Sequence, residues 1–370
     1  MNDNTDAIET VSNSMINTWQ KCRHLYDLRF NRHLVPRIEA PYLRQGTLAH
    51  YGLEMGLRAQ FRGEGTIEIM LAIDNSITAK YGEWADHELI KPVLEANPEI
   101  WDQAINDAND CKNIVQRVFD RFGIFTGRWE TQTLDGEPLI EYKLKKILGA
   151  SGETIAATGT LDWVAKDLST GHTWLIDWKL RKQMMGDEYD ETNRQASGYQ
   201  NLLLEKGVKL NGTCSAQIRS AVPKKPRINT GKGKFQGQMS RSVIATDWVT
   251  YRLALLDAGL EPDDYKAMED KLSHFEILSF TFRSPTEVRN AWSDYLDAIH
   301  EWAHNRHLGP FFRSLDAYNC KGCKYKDLCM EGLRDGDVDM LEQTLYMKDY
   351  EGPRSWMYGV PEEQEEGEES

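Results

Sequence analysis

The amino-acid sequence predicts an α/β fold in which a mixed central sheet is flanked by helices, with a helical N-terminal region and a cysteine-rich C-terminal segment wrapped around it. Three observations carry this. Apolar positions in the first 130 residues recur at three- and four-residue steps. From about Pro138 the texture changes to short β-branched runs divided by turns. Beyond residue 190, helical and extended patterns alternate.

In the first stretch Ile114, Val118, Phe122 and Phe125 mark one helical face, and strands are sparse. The runs PLIEYKLKKIL, TIAATGTLDWVAK and HTWLIDWKL follow, separated by GASGE and DLSTG, which predicts an antiparallel meander. A helix over 191–205 and a strand at CSAQIRSAV come next, ahead of a loop rich in glycine, proline and lysine. HFEILSFTFR reads as a further strand. Ser284-Pro285-Thr286-Glu287 joins a capping box to a proline in the first turn and starts a helix running to about His304.

Composition narrows the function classes. With 370 residues and 40% hydrophobic content the chain can bury a core, and no apolar run approaches the ~18 residues of a membrane span. Its first residues, MNDNTDAIETVSNS, lack the basic start and apolar stretch of a secretion signal, so the expected location is the cytoplasm, or the host-cell cytoplasm for a viral protein. A net charge of −14 would repel nucleic acid if evenly spread, but six glutamates between Glu362 and Glu369 account for −6 of it. Residues 219–246, by contrast, hold Lys224, Lys225, Arg227, Lys232, Lys234 and Arg241 with no acidic residue among them, a strip suited to tracking a phosphate backbone. Thr230-Gly-Lys-Gly-Lys234 lacks the phosphate-binding-loop pattern, so nucleotide hydrolysis is excluded and any unwinding would fall to a partner.

Phosphodiester hydrolysis needs a divalent cation and a positive group beside the developing charge. Asp177 and Lys179, two apart on a strand, project from one face, and the DLSTG turn folds Asp162 of the preceding strand towards them. The triplet alone is cheap, since Glu141-Tyr-Lys143, Asp264-Tyr-Lys266 and Glu269-Asp-Lys271 also occur. Its context is not. Gly46-Thr-Leu-Ala-His50, Gly159-Thr-Leu-Asp162, Asp177-Trp-Lys179 and Gln195-Ala-Ser-Gly-Tyr199, in this order and spacing, resemble the RecB-like branch of the PD-(D/E)XK nuclease superfamily. The resemblance implies a restriction-endonuclease-like core and a DNA phosphodiesterase. It further implies that His50, Asp162, Asp177 and the Trp178 carbonyl ligate Mg²⁺ or Mn²⁺. Lys179 then positions water or stabilises the pentavalent transition state, and Gln195 and Tyr199 face the substrate. Glu141, on the strand before, would add a supporting contact or a second metal.

Cys320-Lys-Gly-Cys323 and Cys329 form a Cys-x2-Cys-x5-Cys run, with Cys22 far upstream. Spacing alone admits zinc, the fourth ligand being Cys22, His304 or His307. The set is similar to cluster-bearing RecB-like nucleases, among them the AddB nuclease domain and a CRISPR-adaptation exonuclease family, which implies a 4Fe-4S cluster on Cys22, Cys320, Cys323 and Cys329. Cys111 and Cys214 read as buried thiols. Those relatives are mostly exonucleases, which implies action on single strands or duplex ends in recombination, repair or viral DNA processing, alongside a helicase or annealing protein. The alternatives are a structure-specific endonuclease and a non-catalytic DNA-binding scaffold. The expected organisation is a helical region over 1–130 with Cys22 and His50, a nuclease core over 131–310, a cluster segment over 311–350 and an acidic, disordered tail over 351–370.

Overall fold

The computed structural model describes residues 8–37, 41–88, 90–150, 152–185, 194–231, 236–240 and 245–348. The chain enters through β1 (Glu9–Ser12), whose last residue caps α1 (Asn13–Lys21) by accepting from the Met15 N–H. After Cys22 come α2 (Arg23–Tyr26), a π-turn over Asp27–Asn31 and β2 (Leu34–Pro36). Four helices follow: α3 (Pro41–Phe61), α4 (Thr66–Ala85), α5 (Lys91–Ala96) and α6 (Pro98–Arg121). The expected apolar face lies on α6, with Ile114 and Val118 fully buried. The helix stops at Arg121, so Phe122 is its buried C-cap and Phe125 packs from the turn beyond.

The sheet is built from β3 (Trp129–Thr131), β6 (Ile140–Ala150), β7 (Glu153–Asp167), β8 (Thr173–Arg181), β9 (Gly212–Arg219) and β10 (Glu276–Phe282) together with β1; β4 (Thr133–Leu134) and β5 (Glu137–Pro138) form a small separate hairpin. Its path is β1-β7-β8-β9-β10, with β3 and β6 also paired to β7. The meander of β6, β7 and β8 is antiparallel, as the three runs predict. β9 joins β8 in parallel, which requires a crossover, and α7 (Arg194–Glu205) supplies it. β1 joins β7 in parallel as well, making the sheet mixed. Four residues are too few to show a period, so this strand is invisible in the sequence.

Helices cover both faces. Leu53, Leu57, Ile73, Ile114 and Val118 of α3, α4 and α6 pack on Ile140, Trp163, Ile176 and Trp178. On the other face Leu202 and Leu203 of α7 and Trp292 of α9 (Pro285–Asn305) pack on Leu139, Leu144, Leu161, Val164 and Leu175. Each such side chain contributes about 1.5–3 kcal/mol on burial, so the layers hold the sheet firmly between them. α9 opens on the predicted capping box, Ser284 and Glu287 bonding reciprocally. Before it, α8 (Trp248–Asp257) and a 3-10 helix over Pro262–Lys271 pack on each other; after it come α10 (Ala317–Lys321), α11 (Lys326–Leu333), α12 (Val338–Leu345) and β11 (Tyr346–Lys348). β11 pairs antiparallel with β2, which brings the last described strand beside a strand of the N-terminal region. Among the described residues no helix is long and apolar enough to cross a membrane.

Candidate active site

The site lies where β7 and β8 fork. Their ladder ends at Trp163↔Ile176, and the next N–H on the β8 side, that of Trp178, bonds to the Asp162 carboxylate at 2.7 Å instead of to a backbone carbonyl. A strand edge left open by the fork is thereby satisfied by a side chain, which pins Asp162 in place. The facing strand turns over at the same level. Ile140 and Trp163 belong to the α3 side of the sheet, Tyr142 and Leu161 to the α7 side, and between them Glu141 takes a left-handed backbone with φ 45°. A non-glycine residue there costs about 1–3 kcal/mol and signals a functional constraint. The result turns the Glu141 carboxylate towards His50 of α3.

Ligand atoms of His50, Glu141 and Asp162 all lie within 4.8 Å of one another. The His50 Nδ1 is 3.3 Å from Glu141 and 3.9 Å from Asp162, and its Nε2 is 3.1 Å from the Trp178 carbonyl. That carbonyl is held by its own indole, stacked between Phe122 and Trp163 at 6.0 and 5.8 Å. Burial alone would depress the imidazole, but the charges of Asp162 and Glu141 raise it to about 9. At neutral pH it is therefore a cation donating to Glu141 and to the carbonyl, and it must shed that proton to ligate a metal. Burial raises both Asp162 and Asp177, and the charges of His50 and Lys179 oppose the rise without cancelling it. Asp177 stands just outside the trio. Lys179 donates to its Oδ1 at 2.6 Å, while its Oδ2 is buried with no hydrogen-bond partner among the described residues. A carboxylate oxygen left bare in the interior suits a cation.

Leu175 faces α7, so Asp177 and Lys179, two and four residues on, share that face with Gln195 and Tyr199 of α7. Gln195 Nε2 donates to the Tyr199 hydroxyl at 3.0 Å. Burial pushes that phenol up to about 12, the Gln195 bond opposing and the charges of Asp162 and Asp177 adding to the rise. All eight of the residues expected at the centre thus meet at the fork. Of the basic strip, Lys224 and Arg227 are exposed and Lys225 pairs with Asp257 at 2.6 Å; Lys232, Lys234 and Arg241 lie outside the described residues, as does the acidic tail.

Two residues beside the site escape the motif. Ser215 and Gln217 of β9 sit in register with Asp177 and Lys179. The Ser215 hydroxyl is buried with no hydrogen-bond partner among the described residues, and the fully buried Gln217 amide clamps Met185 through both its backbone groups. Ser215-Ala-Gln217 repeats the period of Asp177-Trp-Lys179 one strand later, but only the parallel register of β8 and β9 sets the two pairs side by side. Far from the fork, Cys22, Cys320, Cys323 and Cys329 line one recess between α1, α2 and the C-terminal helices, and Cys111 and Cys214 are buried as expected. None of the six is in a disulfide among the described residues.

Among solved structures the chain is similar to that of the protein SSO0001, at 10% identity over 64% of this chain and 79% of that one, with a TM-score of 0.27, too loose a likeness to add to the fold. No match is found among curated proteins. The family model of the PD-(D/E)XK nuclease superfamily matches residues 10–330 and takes in every residue at the fork. The chain belongs to the PD-(D/E)XK nuclease superfamily, and is by that membership a metal-dependent nuclease.

Proposed function

We propose that the protein hydrolyses phosphodiester bonds in DNA, with Mg²⁺ or Mn²⁺ held by His50, Asp162, Asp177 and the Trp178 carbonyl. The observation carrying this is the convergence of His50, Glu141 and Asp162 within 4.8 Å beside the Asp177–Lys179 pair. A divalent cation held there would supply Lewis-acid polarisation of the phosphate and of a water. Asp162 and Asp177 orient what lies between them, since one is fixed by the Trp178 N–H and the other by Lys179. Lys179 positions the attacking water or stabilises the pentavalent transition state with its positive charge. Glu141 holds the His50 ring by its Nδ1 and thus its orientation. The Tyr199 hydroxyl, whose ionisation burial pushes up to about 12, stays protonated at neutral pH and is a donor for a phosphate oxygen. Lys224, Lys225 and Arg227, with Lys232, Lys234 and Arg241, track the strand's backbone.

We further assign exonuclease action on single strands or duplex ends, in recombination, repair or viral DNA processing and alongside a helicase or annealing partner. It rests on the likeness of the four-cysteine set to cluster-bearing RecB-like nucleases, which are mostly exonucleases. End-labelled linear and covalently closed circular DNA, each with Mg²⁺ or Mn²⁺, separate the readings. Linear DNA should be degraded, closed circles spared, and Asp177→Ala inert. Equal cutting of circles would defeat the exonuclease assignment, and no cutting of either would defeat the enzyme.

The recess of Cys22, Cys320, Cys323 and Cys329 supports a 4Fe-4S cluster over zinc. Burial pushes the Cys323 thiol up, and the other three cysteines add to the rise, so the four are close enough to feel one another. Yet among the described residues no three of their sulfurs lie within 4.8 Å of one another. Four thiolates on zinc, with Zn–S of about 2.3 Å, stand only about 3.8 Å apart. His307 keeps company instead with Glu9 and Glu153. Such a cluster would tie α1 and α2 to the C-terminal helices, the same two regions that β2 and β11 join. Anaerobically purified protein should be brown and contain iron and sulfide, and Cys323→Ser should bleach it; a colourless protein with stoichiometric zinc overturns the assignment.

A further inference from the structure

Gly159, at the head of Gly159-Thr-Leu-Asp162, has no backbone reason to be glycine. Among the described residues the positive-φ positions do not include it, and it sits in an ordinary antiparallel ladder opposite Leu144, where any L-residue fits. Glycine inside a strand weakens it, and is found there mainly where something approaches the backbone closely. Here that something is Tyr199. A Cβ built on Gly159 would lie 2.2 Å from the ring's Cε1, 2.6 Å from its hydroxyl oxygen and 2.7 Å from Cζ. The collision is with the hydroxyl end of the ring, not with its stem. By contrast a Cβ on Gly149, in the neighbouring strand, would meet nothing within 4 Å, and one on Gly198 only Trp292 at 4.0 Å.

The ring has little room to retreat. Its helix α7 is packed against α9, and Tyr199 shares a recess with Asn13, Gln195, Leu202, Trp292 and Tyr295. Its hydroxyl is held at 3.0 Å by Gln195, one turn earlier on the same helix. Three residues along β7 from Gly159 stands Asp162, so the bare patch of strand and the carboxylate belong to one short segment.

We propose that Gly159 is a positioning residue: its missing side chain is the seat on which the Tyr199 ring lies, and the seat fixes where the hydroxyl meets the substrate phosphate. This rests on the nuclease reading and deepens it. The glycine and aspartate of that tetrapeptide then have separate duties, one holding the tyrosine and the other the metal. The reach of Tyr199 is set by a residue that touches neither substrate nor metal.

A double-mutant cycle tests it, with Gly159→Ala, Tyr199→Ala, the pair together, and Tyr199→Phe as the variant that keeps the ring and loses the hydroxyl. With linear DNA and Mg²⁺, Gly159→Ala and Tyr199→Phe should each lower kcat about tenfold or more, with KM changed less than about threefold. Gly159→Ala added to Tyr199→Ala should cost less than about twofold further, because the atoms it would strike are gone. The melting temperature should follow the same pattern, falling with Gly159→Ala alone and recovering when Tyr199→Ala is added. If Gly159→Ala does not fold, the pair must fold and cut at the level of Tyr199→Ala. Losses that multiply in the pair, a pair that stays unfolded, or a fully active Tyr199→Phe each overturn the proposal. Failure of the nuclease reading shows elsewhere, in a wild-type protein that cuts nothing.

Discussion

Helix α3 carries two polar clusters less than two turns apart, and they are built on opposite terms. Near its start Arg44 and Gln45 reach Asp107 of α6. One Asp107 oxygen takes the guanidinium, the other takes the amides of Gln45 and Gln103 at 3.0 and 2.8 Å, and the pair is 2% and 1% exposed. Further along, His50 meets Glu141 and Asp162, burial raises two carboxyls, one oxygen of Asp177 is bare, and Glu141 holds a left-handed backbone. A buried carboxylate supplied with three donors contributes order, whereas carboxylates gathered with too few cations leave a place for one. Structural and functional polarity are therefore told apart by satisfaction, not by burial.

The largest expected effects divide along this line. Asp177→Asn should cost about a thousandfold or more in cleavage, since a metal site supplies several kcal/mol of transition-state stabilisation, while leaving the melting temperature unchanged or higher. Asp107→Ala should do the reverse, stranding the Arg44 charge and destabilising the fold by about 3–5 kcal/mol in a urea titration. Similar stability losses in both variants would erase the distinction.

Hydrogen-ion titration should separate a structural ion pair from the site with opposite signs. A hydrogen bond from Arg128 lowers Asp167 to about 2, below its ordinary 3.8, so the stability it contributes is complete above pH 4 or so and is lost as pH falls through about 2. His50 is raised from 6.5 to about 9, so its contribution is complete below 6.5 and is lost as pH rises through about 9. Melting curves of chelator-treated wild type against Asp167→Asn should converge in acid, and those against His50→Gln should converge in base. A His50→Gln deficit that persists unchanged above pH 9 would show that the histidine is held by packing alone.

Much of this was legible from the residues. Asp177 and Lys179 on one strand face, Asp162 across a tight turn and the capping box at Ser284 follow from period and turn chemistry, and the structure has each in place. What local pattern could not carry was anything set by two distant strands at once. β1 is too short to show a period, and Ser215 meets Asp177 only through the register of a crossover. The turning-over at Glu141 is of the same kind: Ile140 and Tyr142 are both apolar, so the alternation reads as regular while their side chains enter different cores. The pairing of Arg44 with Asp107 is likewise hidden, because the two stand 63 residues apart in the chain.

Glu141 offers the smallest and sharpest contrast with Asp107. Replacing a buried acid normally destabilises, yet at φ 45° glycine is the favoured residue, worth about 1 kcal/mol in backbone strain, and one of the crowded carboxylates is removed with the side chain. Against this stands the loss of the bond to His50 and the greater freedom of glycine in the unfolded chain, each of similar size. Glu141→Gly should therefore lie within about 1 kcal/mol of wild type by urea titration of the metal-free protein, while losing about 10–100-fold in cleavage as the His50 ring goes unheld. Destabilisation of about 3 kcal/mol, the Asp107 result, would mean that Glu141 is bound into the fold as tightly as Asp107 is, and that its left-handed backbone is incidental to the site.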